Sequence, residues 1–201
     1  MAHLRFCRRI IPALAALTLA LASPAQAAGN RKNGVLPGAT ARDPLTIDAG
    51  TGAVSFSGAI GSGAAPIGAL STIHSSATTF SSSVDAASLS VNASGITQFN
   101  GIVTAGSVTT DAPGSVQFNI TTPLNGASVL TTGTQTYNDD VVLMKHTTLT
   151  STGANAAGNL TLGSSVMGDS TTARDLTVNG TNVTFTGAVG APLAKIGALN
   201  I

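Results

Sequence analysis

Glutamate and tryptophan are missing from this chain altogether, and cysteine occurs once, at Cys7. Charge is scarce: Asp and Glu together number 8, all of them aspartate, and Lys and Arg number 9 in 201 residues. Each shortage excludes something. One cysteine so near the N-terminus leaves no disulfide framework of the kind that staples small secreted domains, and no thiol set for metal binding. Without glutamate, a paired-carboxylate site would have to be built from aspartate alone. Beyond residue 27, the fixed cations Arg31, Lys32, Arg42, Lys145, Arg174 and Lys195 face eight aspartates, a balance of about −2. No electrostatic footprint for nucleic acid or an anionic membrane follows from that balance. Helical periodicity is also missing, and the abundant Thr, Val, Ser and Gly make poor helix interiors. Disorder is excluded by the same composition. Low charge with regularly placed Val, Leu, Ile and Phe is the opposite of a disordered segment.

The N-terminus reads as an address. Arg5, Arg8 and Arg9 precede an apolar run at 10–22, and Ser23-Pro24-Ala25-Gln26-Ala27 carries the small-x-small pattern of a signal peptidase site. That run falls short of the ~20 residues a spanning helix needs. Residues 1–27 are therefore expected to be a cleaved signal peptide on the general secretory route, leaving no transmembrane anchor. Residues 28–44, with Pro37-Gly38 and Asp43-Pro44, read as a polar leader or N-terminal edge. The sequons at Asn92, Asn119, Asn159 and Asn182 read as by-products of a Ser/Thr/Asn-rich chain.

From residue 45 onward the chain repeats. Phe56-Ser57-Gly58-Ala59-Ile60-Gly61, continuing to Ile67-Gly68-Ala69-Leu70, is nearly copied by Phe185-Thr186-Gly187-Ala188-Val189-Gly190, continuing to Ile196-Gly197-Ala198-Leu199. Between them stand Phe80, Phe99, Phe118 and Tyr137, the last three intervals being 19 residues each, with Leu162 in the remaining aromatic position. Aligning seven units on these residues brings other columns into line. Four positions on are Ile60, Val84, Val103, Thr122, Val141, Val166 and Val189; further along are Leu70, Leu89, Val108, Val129, Leu149, Leu176 and Leu199. Two before the aromatic come Val54, Thr78, Thr97, Val116, Gln135, Leu160 and Val183, which is the period-2 alternation of a strand. A unit of about 20 residues cannot bury its apolar face alone, but stacked units can. The expected fold is all-β: a right-handed parallel β-helix (β-solenoid) of about seven coils of 19–25 residues over 45–201. The last unit stops at Ile201 while matching 56–73, so an incomplete repeat domain is expected.

The segments Thr132-Gly133-Thr134-Gln135-Thr136-Tyr137-Asn138-Asp139-Asp140-Val141, Leu149-Thr150-Ser151-Thr152-Gly153, Gly158-Asn159-Leu160-Thr161-Leu162 and 182–189 resemble the repeats of filamentous-haemagglutinin-like and autotransporter-type bacterial adhesins. The resemblance covers about 45–201. It implies a structural or adhesive protein exported to the surface of a Gram-negative bacterium, a stalk acting in attachment, aggregation or biofilm formation. Its partners would be a host or bacterial surface receptor or glycan, together with outer-membrane secretion machinery.

The rival reading is a polysaccharide-active β-helix enzyme, a lyase or hydrolase. Its best residues are Asp139 and Asp140 with Lys145 and His146, but neighbouring strand residues point to opposite faces, and a solvated turn after Tyr137 explains them. His74 reads as a surface histidine, and Asp169, Arg174 and Asp175 as local ion pairs worth little. No Gly-x-Ser-x-Gly elbow and no calcium-binding Gly-Gly-x-Gly-x-Asp repeat is present. No catalytic, cofactor-binding or metal-binding residue is therefore expected. Ice binding would require outward Thr-x-Thr at one offset in every coil, and Thr78-Thr79, Thr97 and Thr109-Thr110 do not supply that. Partner recognition, where it occurs, is expected at the insertions 61–67, 168–175 and 190–196.

Overall fold

The computed structural model describes Leu17–Leu19 and residues 43–121, 126–169 and 172–201. The signal-peptide and leader readings lie outside these residues, apart from Leu17–Leu19, Asp43 and Pro44. Leu17–Leu19 is a short strand paired in parallel with Ala53–Phe56.

Alternating small polar and β-branched residues produce short strands whose inward positions are buried and outward ones are not. Ala53–Phe56, Ala77–Phe80 and Ser115–Phe118 all show this alternation. The fold is all-β, with one 3-10 turn at Asn155–Gly158 as the helical exception among the described residues. Every strand ladder among them is parallel, and the strands lie in two curled sheets of seven and twelve strands.

Each sheet collects strands at intervals along the chain. The seven-stranded sheet takes Ala53–Phe56, Ala77–Phe80, Ile96–Phe99, Ser115–Phe118, Asp140–Leu143 and Val166–Gly168 in that order. The twelve-stranded sheet holds two lines. Line one runs from the start of Val84–Ala93 through Val103–Ala105, Val129–Thr131, Thr147–Ser151 and Arg174–Asn179 to Ile196–Asn200. Line two runs from Leu45–Asp48 through Ile67–Ser75, the end of Val84–Ala93, Val108–Thr110, Gln135–Tyr137 and Leu160–Leu162 to Val183–Phe185. Because Val84–Ala93 passes through both lines, they form one sheet.

Inward side chains stack on their equivalents. Phe56, Phe80, Phe99 and Phe118 form a ladder of nearly parallel rings, with centroids 5.0, 5.0 and 5.8 Å apart. All four are fully buried. Such offset aromatic pairs add roughly 0.5–1.5 kcal/mol each beyond the area they bury.

The ladder does not continue to Tyr137, which corrects the expectation of a single aromatic column. Phe118 pairs with Leu143 in the seven-stranded sheet, and Tyr137 meets Phe118 edge-on at 88°. Tyr137, Leu162 and Phe185 stack instead in line two, above Thr110. The phase changes after Phe118. From Phe99 to Phe118 the chain contributes three strands, whereas from Phe118 to Tyr137 the described residues contribute Val129–Thr131 and Gln135–Tyr137. The column two positions before the aromatics divides in the same way, with Val54, Thr78, Thr97 and Val116 in the seven-stranded sheet and Gln135, Leu160 and Val183 in line two. The Leu/Val column already changes at Val129, which pairs with Val103 and Leu149 in line one.

Tyr137 also changes the core chemistry. Its hydroxyl donates to Gln135 Oε1 at 2.9 Å, while Gln135 Nε2 donates to Thr131 Oγ1 at 3.1 Å and to the Thr150 carbonyl at 2.8 Å. Gln135 is fully buried, and these bonds satisfy its amide. Toward the C-terminal edge burial thins: Val189, Leu193, Leu199 and Ile201 are exposed.

The phase change is testable by cross-linking, since strand neighbours lie within disulfide reach. In a Cys7→Ser background, Gln117→Cys with Val142→Cys should oxidise to an intramolecular disulfide, seen as a gel shift. The repeat-equivalent pair, Gln117→Cys with Thr136→Cys, should not. Phe99→Ala should cost about 3–5 kcal/mol in urea unfolding followed by circular dichroism. The half-buried Phe185→Ala should cost clearly less.

Candidate functional site

Adjacent residues on a strand face opposite ways, so the buried ladders fix what the outer surface displays. Outward on line two stand Thr46, Ser71, Ser90, Thr109, Thr136, Thr161 and Thr184, each paired in register with the next. All are exposed or half-buried. At the ~4.8 Å spacing of neighbouring strands this is an unbroken file of hydroxyls on a regular sheet. It holds one hydroxyl per strand. Of the threonines used to judge ice binding, Thr78 and Thr97 are buried in the seven-stranded sheet, Thr110 is buried in line two, and Thr109 faces out.

Of the residues named for the rival enzyme reading, Asp139, Asp140 and His146 lie in three different settings. Asp140 begins the strand Asp140–Leu143, and its Oδ1 accepts bonds from Ser164 Oγ (2.6 Å), Ser165 Oγ (2.6 Å) and the Ser165 amide (3.1 Å). These bonds, the Ser164 hydroxyl first, hold its carboxyl below the usual range. His146 lies past the far end of that strand. Its Nδ1 is 3.1 Å from Asp175 Oδ2 and 3.1 Å from the Asp175 amide.

Asp139 corrects the reading of a solvated turn. It is 2 % exposed, and its Oδ1 has no hydrogen-bond partner among the described residues. Burial pushes its carboxyl up to about 6; the Thr110 hydroxyl pulls the other way, and Asp111 and Asp140 add like charge. Asp111 is also raised, chiefly by burial, although its carboxylate accepts the Ala93 amide at 3.2 Å.

The remaining nominated residues form separate local contacts. His74 Nδ1 lies 3.4 Å from Asp48 Oδ1 on an exposed strand end. Arg174 Nη2 contacts Asp169 Oδ2 at 3.0 Å with both side chains largely covered, a closer pair than a surface contact. Asp175 accepts the Ala198 amide at 2.7 Å. Insertions 168–175 and 190–196 are neighbours, since Gly168 donates to the Ala194 carbonyl and Arg174 pairs with Ile196. Insertion 61–67 lies beside Asp85 and Ala86 near the other end of line one. No group of three or more His, Cys, Asp or Glu among the described residues could hold a metal ion. No helix of the described residues is long and apolar enough to cross a membrane.

No family model matches the chain, and no curated protein or solved structure proved similar to it.

Sequence reasoning missed the hydroxyl file because its members fall at changing distances from the aromatics once the phase shifts. It missed the burial of Asp139 because a polar pair after an aromatic reads as a turn. The Asp140 anchor is testable. Asp140→Ala should lower stability by about 1–3 kcal/mol near neutral pH through loss of charge-assisted hydrogen bonds. A lowered carboxyl stabilises above its unfolded value of 3.8 and loses that contribution as pH falls through the folded value. The gap between wild type and variant in urea melts should therefore close in strong acid.

Proposed function

We propose that the chain is an exported structural and adhesive surface protein, a right-handed β-solenoid of about seven coils that forms part of an adhesin stalk. The observation that carries this reading is the in-register parallel stacking of like side chains, above all the ladder from Phe56 to Phe118. Stacking of this kind builds length: seven coils at ~4.8 Å would give a rod of roughly 30 Å. The signal-like N-terminus supports export, and the resemblance to haemagglutinin-like and autotransporter repeats supports a Gram-negative cell surface. Separation of the nominated acids and bases supports a mechanical role over the polysaccharide-cleaving alternative.

On this reading, attachment uses the regular outer face of line two. Small hydroxyl side chains over a rigid sheet suit a hydroxyl-rich partner such as a surface glycan, which they would meet by many weak, repeated hydrogen bonds. The insertions at 168–175 and 190–196, which adjoin through Gly168 and Ala194 and through Arg174 and Ile196, would offer a second surface for attachment.

The experiment is surface display of the full chain on a non-adherent bacterium, scored for binding to glycan-coated surfaces and for clumping. Displaying cells should adhere above empty-vector cells. Thr136→Lys with Thr161→Lys, which leaves the buried ladders intact, should reduce adhesion severalfold without lowering the melting temperature. Adhesion equal to the empty vector, or depolymerisation of pectin or alginate by the purified chain, would remove this reading.

A further inference from the structure

We infer that the corner at Asp139 is a proton-controlled joint, which holds the two halves of the stack together when its carboxyl is neutral and loosens them when it ionises. Asp139 lies between the line-two strand Gln135–Tyr137 and the seven-stranded-sheet strand Asp140–Leu143. This is where the chain re-enters the seven-stranded sheet after the phase change. Under it lies the turn that leads from Val108–Thr110 to Ser115–Phe118.

The site is closed around the carboxyl. Gly114 has no side chain, and a Cβ there would stand 3.0 Å from Asp139 Oδ1, so the backbone of that turn covers the oxygen. The carboxyl is 2 % exposed with Oδ1 unpartnered among the described residues. Among the described residues, the groups packed on the corner offer no compensating positive charge. Asp111 faces it from the turn below and Asp140 from its own strand, while Thr110 and Gly114 are uncharged. In the unit beyond, Ser164 and Ser165 are also uncharged and bind Asp140. His146 is turned toward Asp175.

A neutral carboxyl tolerates such a place, whereas an ionised one without a cation or a full set of donors does not. Few bonds close the corner: the Asn138 amide and side chain donate to the Thr110 carbonyl at 3.2 and 3.0 Å, and the Asp140 amide reaches the Gly114 carbonyl at a long 3.4 Å. Ionisation is relieved by admitting water between these two turns, at the place where the earlier and later halves of the stack meet. Asp139 is raised from 3.8 to about 6 by burial. Its stabilising effect is therefore complete below pH 3.8 and lost as pH rises through about 6. Neighbouring Asp140, which is lowered, acts oppositely and only in strong acid.

The test is thermal unfolding of the full chain between pH 4 and 8, with Asp139→Asn and Asp111→Asn alongside. Wild type should lose about 5 °C of melting temperature between pH 4.5 and 7.5. Asp139→Asn should flatten that slope and melt higher than wild type at pH 7.5. Asp111→Asn removes a like charge that raises Asp139 and should move the midpoint to lower pH, while a midpoint moved to higher pH would count against the joint. The Asp139→Asn arm also separates the carboxyl from His74 and His146. Hydrogen exchange of wild type gives a readout that needs no variant. After correction for intrinsic rates, the Asn138 and Asp140 amides should exchange about tenfold faster at pH 7.5 than at pH 5, with Leu89 unchanged. A flat wild-type profile, parallel profiles for wild type and Asp139→Asn, or uniform protection across the corner would each overturn the joint.

Discussion

Parallel backbone hydrogen bonding in register is the constraint from which the rest follows. Once one strand pairs with its successor residue for residue, each inward side chain must lie on its equivalent in the next unit. Val54, Thr78, Thr97 and Val116 succeed one another in this way, as do Phe56, Phe80, Phe99 and Phe118. A slip of one residue would turn every phenylalanine out to solvent. The ring ladder and the register therefore enforce each other. The outer surface is fixed by the same rule, because the hydroxyl file of line two is the other side of the buried file that contains Leu70, Leu89 and Val108.

Departures from regularity gather where the phase changes. The aromatic ladder ends at Phe118, Tyr137 crosses it edge-on, and a fully buried glutamine is supported by Tyr137, Thr131 and the Thr150 carbonyl. Asp139 sits at the next corner. A core of stacked apolar rings gives way here to one that needs hydrogen bonds and protons to be complete. Such a junction is a natural place for the stack to yield, since ladders of equivalent residues on either side have no reason to do so. A stalk with one weaker joint also differs mechanically from a uniform rod, which ties the polar corner to the adhesive role proposed for the chain.

Much of the architecture was legible in the sequence. The 19-residue beat of Phe80, Phe99 and Phe118, the period-2 spacing around them and the Leu/Val column announced stacked strands, and the rings do stack. Tyr137 kept the beat and still went elsewhere. Spacing reports how many residues separate two units, not how many strands those residues form. From Phe118 the next described strand of line one starts at Val129, whereas from Phe99 it starts at Val103, so the longer connection uses up the interval before the chain returns to the seven-stranded sheet. The candidate site was harder still. Asp139 and Asp140 are neighbours in sequence, yet one carboxyl is enclosed and the other is held by two serines from the following unit. Nothing local distinguishes them, because burial was decided by Gly114 and Ser164, which lie about 25 residues away in opposite directions along the chain.

The near-duplicate segments divide what each level settles. Both copies form the same loop: Ser62 and Ala65 exchange backbone hydrogen bonds in the first, as Ala191 and Ala194 do in the second. Gly61 and Gly190 take positive φ values of 68° and 80° ahead of those loops. Local sequence was enough for that, since a tight turn depends on a few neighbouring dihedral angles. Placement was not local. Phe56 joins the seven-stranded sheet against Phe80, while Phe185 joins the twelve-stranded sheet against Leu162. Which sheet a unit enters depends on the strand already waiting beneath it, and that strand is supplied by the accumulated winding of everything before.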